Sequence, residues 1–411
     1  MILDMDSTIA LAPGGLEALP GLLSDLAKGV DDLLRGNDAD RHDLVHKCRS
    51  LMLGLQTPRE VMLDHCWAQN GAIAAITFGI DSGLWKLMAR NGDVPQKVAE
   101  LAPALGIDPK LLNRLMRHLS SLAYLTQVGA DEYLPTNYSR ALSLPFMGHG
   151  YLGILASTHL AATEFYQFSR RRGWKNPTDA SDTSLMHAYK TDQDLFEFLQ
   201  STGHARHFDD FMMGYQLGSP SWMDPALFPV QERLIDGADP RPESAFLVDI
   251  GGNVGRYLAE FRRRFPHAPG KLILQDLARV LDHAGDLDES IVRMEHNFHH
   301  EQPVKGARAY YMHWILHDWP DAVCESILAR TKEAMKPGYS RLLIDEAVVP
   351  ATGAHWETTG LDMTMLTLLS SAERTRAEWH ELLEVKAGLR IVKIWTRRGR
   401  DESVIECERP C

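Results

Sequence analysis

A glycine-rich stretch in the middle of the chain limits the fold more than any other part of the sequence. Residues 245–249 read AFLVD, an apolar run that ends in an acid and is too short for a helix, and so they predict a buried strand. Gly251, Gly252 and Gly255 then form a turn whose bare backbone lets a ligand approach closely. An amphipathic helix and a second strand ending in Asp276 follow. This order predicts a parallel α/β unit that binds a nucleoside.

The spacing of the glycines and the position of Asp276 narrow the choice of ligand. Asp276 lies 276 − 255 = 21 positions after Gly255, at a strand end where an acid can bind both ribose hydroxyls. A dinucleotide fingerprint needs glycines at its first, third and sixth positions, but Asn253 and Arg256 occupy the third and sixth positions here. The turn therefore indicates a nucleoside without the pyrophosphate of NAD. A turn that only joins a strand to a helix is the alternative.

The stretch VDIGGNVG, residues 248–255, resembles the first motif of class I S-adenosylmethionine-dependent methyltransferases. Asn253 departs from that motif at its middle glycine. Asn297 stands where the family usually has an acid, and its carbonyl oxygen can still accept a hydrogen bond from the adenine amino group. The resemblance implies S-adenosylmethionine as cofactor and S-adenosylhomocysteine as its product. The residues assigned to the cofactor are Asp249, Gly251, Gly252, Gly255, Asp276, Leu277, Asn297, Phe298 and His313.

Residues 314–321, WILHDWPD, are the second informative stretch. His317 follows an apolar strand predicted over 309–315 and precedes a helix that we expect to begin at Pro320. It therefore lies at the carboxyl edge of the sheet, where open parallel sheets bind ligands. The run closely resembles the catalytic-base motif of plant and fungal O-methyltransferases, which implies that His317 is the general base.

Two glutamates complete the catalytic set that this resemblance implies. Glu346 follows a strand predicted over 341–345, and Glu373 precedes a helix whose capping box is formed by Thr375 and Glu378. In the family, the matching glutamates flank the catalytic histidine and orient its ring. A solvated charge at a helix end is the alternative for Glu373.

Length, charge and cysteine usage bound the remaining possibilities. The 411 residues exceed one usual core, so we expect two domains. A net charge of −12 disfavours nucleic acid and anionic membranes, which reward clusters of Lys and Arg. The five cysteines form no CxxC pair, so neither a disulfide framework nor a zinc site is indicated, and no cluster of carboxylate or histidine ligands for a metal ion is evident. No signal peptide or membrane-length apolar run is present, so we expect a cytoplasmic protein.

Residues 1–172 predict a mainly α-helical domain. Within it, residues 61–88 are apolar on more than one face, which suits a helix buried on several sides, including against a second subunit. Residues 95–142 predict two helices and a hairpin, the winged-helix pattern. This layout resembles the amino-terminal dimerisation domain of plant and fungal small-molecule O-methyltransferases and implies a homodimer.

The winged-helix pattern taken alone also predicts DNA binding through a helix at 113–122. Against that interpretation, Asp131 and Glu132 occupy the wing and the whole chain is acidic. A few basic residues on a helix are usually its solvated face. DNA binding is therefore the lesser alternative.

Residues 173–184 are rich in turn formers, so we place the cofactor-binding domain at 185–411. Phe211, Met212 and Trp222 are adaptable apolar groups that could line a pocket for a flat substrate, together with Asp318. Ordinary core is the alternative for these apolar residues.

Together these features predict an α/β fold, a doubly wound Rossmann-like class I methyltransferase domain with an N-terminal winged-helix-type domain. The expected activity is methylation of a phenolic or enolic hydroxyl of a small secondary metabolite such as a polyketide. Because a sulfonium methyl is already a good electrophile, the enzyme must mainly align the acceptor and remove its proton. A pericyclase that keeps the cofactor as a bound cation is the alternative. His317 with two glutamates favours transfer, because a pericyclic step needs no dedicated base.

Overall fold

The computed structural model describes residues 8–37, 40–215, 218, 220–285, 287–397 and 399–411. Contacts divide the chain into two compact units. The first contains Met1–Ala156 and Gly203–Leu217, and the second contains Ser157–Thr202 and Gly218–Cys411. The domain division expected from the sequence, at 172 and 185, stays a prediction.

The helices and strands alternate in the second half of the chain but not in the first. The helices are α1 (Thr8–Leu11), α2 (Leu19–Leu34), α3 (Arg41–Leu55), α4 (Pro58–Leu63), α5 (Asn70–Asp81), α6 (Leu84–Asn91), α7 (Val98–Leu105), α8 (Pro109–Ser121), α9 (Asn137–Ala141), α10 (Pro145–Leu152), α11 (Ile154–Arg171), α12 (Ser184–Tyr189), α13 (Leu195–Ser201), α14 (Ala205–Tyr215), α15 (Arg256–Arg264), α16 (Ala278–Leu281), α17 (Asp321–Ala334), α18 (Trp356–Leu369) and α19 (Arg376–His380). The strands are β1 (Gln96–Lys97), β2 (Leu125–Gly129), β3 (Glu132–Pro135), β4 (Ala245–Ile250), β5 (Lys271–Asp276), β6 (Ile291–Glu295), β7 (Ala309–His313), β8 (Arg341–Val349), β9 (Arg374–Thr375), β10 (Arg390–Thr396) and β11 (Glu402–Glu408).

The first unit is helical, with a small antiparallel sheet in the order β1-β3-β2. Asp108 caps α8 by accepting hydrogen bonds from the amides of Lys110 and Leu111. Two polar side chains of α8 are engaged within this unit, since Asn113 Oδ1 accepts from Tyr133 Oη at 2.7 Å and His118 Nε2 lies 2.9 Å from the Ala68 carbonyl. The α8 helix followed by the β2–β3 hairpin is the winged-helix arrangement that the sequence predicts.

The second unit is organised around a sheet in the order β10-β11-β8-β7-β4-β5-β6. The strands from β8 to β6 are parallel, and β11 pairs antiparallel with both β8 and β10. Both faces of the central strands are buried, which explains their continuous apolar runs. Val248, Met312 and Ile344 face one core, and their neighbours Leu247, Tyr311 and Leu343 face the other. This is the doubly wound fold that the sequence predicts.

The chain reverses direction across the sheet between β4 and β7. It runs outwards from β4 through β5 to β6, then returns to place β7 on the other side of β4. Ligands of open α/β sheets bind at such a switch point, outside the carboxyl ends of the strands. The glycine turn follows β4 and His317 follows β7, so both lie at this point.

Two strand boundaries differ from the sequence expectation. Strand β7 ends at His313 because Trp314 takes a left-handed φ of 53°, and a single 3₁₀ turn, Leu316–Asp318, then carries His317. Strand β8 continues past residue 345, so Glu346 lies within it. Pairing with β11 and β9 extends β8, and such pairing between distant segments is not visible in a local pattern.

The α17 helix also begins one position later than expected, at Asp321, with Pro320 as its N-cap residue. Among the described residues, no single helix has the length and apolar composition of a membrane span. The bent pair Pro58–Asp81 and Leu84–Asn91, at 72°, passes by length and composition when taken together.

Replacement of Gly255 by alanine should destabilise the second unit. Gly255 has a φ of 80°, and a Cβ there would lie 2.8 Å from Leu287 Cδ2. We expect a loss of roughly 1–3 kcal/mol in the free energy of unfolding, measured by urea denaturation. Gly285→Ala is the control, because a Cβ at that position meets nothing within 4 Å. Equal stability of the two variants would contradict the prediction.

Candidate active site

The glycine turn presents bare backbone at the edge of the sheet. The amides of Gly251 and Gly252 both donate to the Gln275 carbonyl, at 2.8 and 3.2 Å, which ties the turn to the end of β5. A Cβ at Gly251 would lie 2.5 Å from Ile315, and one at Gly252 would lie 2.5 Å from Asp249 Cγ. Side chains are therefore excluded here, and the backbone stays open to a ligand.

Asp276 is aimed at this turn by two backbone amides. Its Oδ2 accepts a hydrogen bond from the Asn253 amide at 2.9 Å, and its Oδ1 accepts one from the Leu277 amide at 2.8 Å. Asn253 takes a φ of 54°, which asparagine tolerates better than most residues. The carboxylate is thereby fixed at the end of β5, beside the glycine turn, which is where an acid that binds the ribose hydroxyls must lie.

Asp249 is a buried carboxyl group with an unsatisfied oxygen. It is 1% exposed, and its Oδ2 has no hydrogen-bond partner among the described residues. Burial, together with the nearby charge of Asp276, raises the pKa of Asp249 to about 8. A positively charged amino group, such as the one on the methionine part of S-adenosylmethionine, would satisfy this oxygen. The turn and its two acids therefore fit that cofactor.

The other residues assigned to the cofactor lie beyond β6 and at the end of β7. Asn297 Oδ1 accepts from the His299 amide at 2.9 Å. The ring of Phe298 lies 6.3 Å from that of Trp319, so an aromatic wall follows β6. His313 is the last residue of β7, and its Nε2 lies 3.3 Å from Tyr257 Oη. These positions share the edge of the sheet that carries the glycine turn.

His317 is paired with Glu373 inside the protein. Its Nδ1 lies 2.6 Å from Glu373 Oε1, with the histidine 4% and the glutamate 5% exposed. Its Nε2 lies 3.4 Å from Asp318 Oδ1. Burial alone would lower the pKa of His317, but the charges of Glu373, Asp318 and Glu346 and the hydrogen bond to Glu373 outweigh it and raise the pKa to about 10.

Glu346 holds the turn that carries the histidine. Its Oε1 accepts hydrogen bonds from the amides of Ile315 and Leu316, at 3.1 and 2.7 Å. Its Oε2 is buried and has no hydrogen-bond partner in the part of the chain that the structure describes. Burial raises the pKa of Glu346 to about 7. In this structure Glu346 positions the turn and acts on the His317 ring through its charge.

Two residues that sequence reasoning missed hold the same turn from the other side. Buried Arg374 donates to the carbonyls of Leu316 and Trp319, at 3.0 and 2.9 Å. Ser371 Oγ donates to the His317 carbonyl at 2.5 Å. Both flank Glu373 in the run SSAERT, and the only signal was a basic residue directly after that glutamate. The segment around Glu373 thus positions the ring and the backbone of His317 together.

A second buried ion pair lies beside His313 and was also missed. Arg397 donates to both oxygens of Asp345, at 2.9 and 3.0 Å, and Tyr311 Oη donates to Asp345 Oδ2 at 2.9 Å. Burial alone would raise the pKa of Asp345, but its contacts with His313 and Arg397 hold it well below its usual range. Asp345 and Arg397 are 52 residues apart, so no local sequence pattern predicts this ion pair.

The residues predicted to line a substrate pocket fall in both units. Phe211 and Met212 are half-buried on α14, in the first unit. Trp222 is fully buried in the second unit and stacks on Tyr311 at 4.9 Å, so it belongs to the hydrophobic core rather than to a pocket wall. Asp318 lies beside His317 Nε2, and burial raises its pKa to about 6 although 21% of its side chain stays exposed.

Among the described residues, no group of three or more His, Cys, Asp or Glu side chains is arranged to hold a metal ion.

Comparisons with known proteins give a consistent result. A model of the O-methyltransferase domain matches residues 233–390. O-methyltransferase mfmE of Annulohypoxylon moriforme is 32% identical over 373 residues, covering 90% of this chain and 91% of the relative. Demethylsterigmatocystin 6-O-methyltransferase of Aspergillus flavus is 30% identical over 382 residues, covering 92% of this chain and 96% of the relative.

Two solved structures show the same fold over almost the whole chain. LepI in complex with SAM aligns over 95% of this chain and 100% of LepI, with a TM-score of 0.86 and 30% identity. A pericyclic reaction enzyme aligns over 97% of this chain and 100% of its own, with a TM-score of 0.85 and 29% identity.

Asp249→Asn should make the free protein more stable at alkaline pH. Because the folded-state pKa of Asp249 is raised, the folded protein holds a proton that the unfolded chain loses, and stability falls as the pH rises from about 4 towards 8. Asparagine cannot ionise, so the variant should gain on the order of a few kcal/mol over wild type at pH 8 and much less at pH 5.

Urea denaturation at both pH values measures this difference. Asp288→Asn is the control, because hydrogen bonds from Ser290 lower the pKa of that exposed carboxylate, and no gain at pH 8 is expected from its removal. The same gain for Asp249→Asn at both pH values would show that Asp249 does not carry the effect.

Proposed function

The chain belongs to the family of S-adenosylmethionine-dependent O-methyltransferases of fungal secondary metabolism, and we propose that it methylates a phenolic or enolic hydroxyl with His317 as general base. Methylation of a small secondary metabolite is the reaction of the family. S-adenosylmethionine is the cofactor, and when bound it supplies a methyl group on a positively charged sulfur. The observation that carries the proposal is the buried contact of 2.6 Å between His317 Nδ1 and Glu373.

The residues at the switch point of the sheet support a specific arrangement of the cofactor. Asp276, already oriented by two backbone amides, would bind the ribose hydroxyls. Asp249, with its unsatisfied buried oxygen, would bind the amino group. Asn297 and Phe298 would contact the adenine, and His313 would complete the site from the end of β7.

The raised pKa of His317 suits a phenolic acceptor. A phenol has a pKa of about 10 and an ordinary histidine one of about 6.5, so proton transfer between them is uphill by roughly 5 kcal/mol. The carboxylates around His317 raise its pKa to about 10, which removes most of that difference. The carboxylates therefore make His317 a stronger base towards a phenol once its own proton has left.

Each acidic neighbour has a separate part in this proposal. Glu373 accepts the Nδ1 proton of His317, which fixes the ring so that Nε2 is the nitrogen that takes the acceptor proton. Glu346 holds the amides of the turn and adds negative charge. Asp318 lies on the Nε2 side, where the acceptor hydroxyl would approach.

One observation favours a second candidate function, a pericyclic reaction on the same fold. The pericyclic reaction enzyme aligns with this chain over nearly its full length. A protonated His317 could donate a hydrogen bond to a carbonyl and polarise it without removing a proton. Methyl transfer remains the better explanation, because the relatives that match nine-tenths of the chain at 30–32% identity are named O-methyltransferases.

Replacement of His317 by alanine should lower kcat by about 10²–10⁴-fold and leave the affinity for S-adenosylhomocysteine nearly unchanged. Product formation is followed by mass spectrometry with a polyhydroxylated aromatic acceptor, and S-adenosylhomocysteine is counted in the same samples. His380→Ala is the control, because His380 is exposed and pairs with Glu384 on the surface. One methyl group and one S-adenosylhomocysteine per turnover are expected; product formed without S-adenosylhomocysteine would establish the pericyclic alternative instead.

We also propose that the protein is a homodimer built through its helical half, and the cytoplasmic location likewise stays a prediction. Met62 and Trp67, within the segment 61–88, are 53% and 70% exposed, more apolar surface than an isolated helix usually shows. Light scattering should give twice the chain mass at micromolar concentration, and Trp67→Glu should shift it towards the monomer. Trp174→Glu is the matched control, since Trp174 is 67% exposed in the second unit. A wild-type monomer would refute the dimer.

A further inference from the structure

We infer that His317 and the sulfonium group of the cofactor share one positive charge, so that His317 gives up its proton when S-adenosylmethionine binds and retains it when S-adenosylhomocysteine binds. By this device the carboxylates around His317 distinguish the cofactor from the product. The inference rests on the proposed function, because it concerns the same histidine.

Three carboxyl groups surround the ring of His317. Glu373 contacts Nδ1 at 2.6 Å, and Asp318 lies 3.4 Å from Nε2. Glu346, on β8, accepts a hydrogen bond from the amide of Leu316, the residue before His317. Glu373, Glu346 and His317 are each at most 5% exposed. Above about pH 7, where burial no longer keeps Asp318 and Glu346 protonated, this much buried negative charge needs a positive charge beside it.

The other charged groups packed around this site do not supply that positive charge to the ring. Arg374 donates to the turn carbonyls and pairs with Asp321 of α17, and its charge acts on Glu346 rather than on the ring. Asp362 of α18 accepts from the Glu373 amide and adds negative character. Cys324 of α17 is neutral, because burial raises the pKa of its thiol to about 12. In the free protein the imidazolium of His317 is therefore the charge that balances the cluster.

The geometry of methyl transfer places a second positive charge close to the first. The reacting carbon and oxygen must approach to about 3 Å, and the hydroxyl must lie within about 3 Å of Nε2, so the sulfur comes within roughly 7 Å of the ring. In an effective dielectric of about 20, the repulsion between two unit charges at that separation lowers the proton affinity of His317 by roughly 50-fold when the sulfonium is bound. The cluster thus accommodates one of the two cations well and both together poorly.

The reaction itself keeps this charge constant. Methyl transfer breaks the carbon–sulfur bond with its electron pair left on sulfur, forms the oxygen–carbon bond, and moves the hydroxyl proton to Nε2 of His317. One positive charge is present before the step, on sulfur, and one after it, on the imidazole. His317 then already has the protonation state of the free protein, so the product leaves without any change of charge at the base.

Titration calorimetry tests the inference on the full-length protein. S-adenosylmethionine and S-adenosylhomocysteine are each titrated in two buffers of different ionisation enthalpy, over a pH range of about 7 to 10, which gives the number of protons exchanged. The amino group and Asp249 affect both ligands alike, so the difference between the two titrations comes from groups near the sulfonium, which are His317 and, close to pH 7, Glu346 and Asp318. We expect S-adenosylmethionine to release up to one proton more than S-adenosylhomocysteine. The ratio of their affinities should rise with pH by up to about 50-fold.

Variants assign the proton to its group. His317→Gln should still bind both ligands and should abolish the difference in proton release. Asp318→Asn removes one charge that holds the proton, so the difference should persist and its maximum should move to lower pH. His380→Gln, which removes the exposed histidine paired with Glu384 at 2.7 Å, should behave like wild type.

Equal proton release with the two ligands, or an affinity ratio that does not change with pH, would overturn the inference. A difference that persists in His317→Gln would do the same. If His317→Gln does not fold, the wild-type ratio and the Asp318→Asn shift decide the question. Loss of kcat in His317→Ala without any ligand-specific proton release would leave the proposed function standing and this inference wrong. Ligand-specific proton release by a wild-type protein that methylates no acceptor would support the inference and count against the proposed function.

Discussion

The buried pair of His317 and Glu373 is the interaction on which the rest of the site depends. A histidine and a glutamate that are removed from water cost free energy unless each is held in a geometry that lets them bond. The turn that carries His317 is therefore fixed on both sides, by Glu346 at its amides and by Arg374 at its carbonyls. The position of the His317 ring is therefore set by the hydrogen bonds of the turn as well as by the contact with Glu373.

The cofactor side of the same edge follows a different physical logic. Its glycines leave space, Asp276 is oriented by backbone amides, and Asp249 is buried with one oxygen, Oδ2, unpaired among the described residues. An unsatisfied buried carboxyl lowers the stability of the free protein, and a bound cation would recover that loss. Asp249 thus carries an unpaired buried oxygen in the free protein, while the backbone of the turn around His317 is held by hydrogen bonds from Glu346, Ser371 and Arg374. Functional sites commonly combine these two conditions.

Much of the site could be predicted because the switch point of a parallel sheet brings strand ends together whatever their distance in sequence. The glycine turn after β4, Asp276 after β5 and His317 after β7 each follow a recognisable apolar strand. Packing decided two further points. Trp222 lies in the core, which the sequence left open as the alternative to a pocket wall, because an aromatic residue next to a sheet is buried by default. Glu346 was expected at a strand end and lies inside β8, because β11 extends the pairing.

The sequence by itself determined the fold class and the nature of the cofactor and pointed to His317 as the proposed base, since each depends on a short motif in which neighbouring residues act together. The tertiary structure alone decided which groups set the proton affinity of that base. Glu373 is 56 residues from His317, and Arg374 and Ser371 hold the turn from the same distant segment. A pKa depends on distances and burial between such segments, and local patterns of polarity carry no information about either.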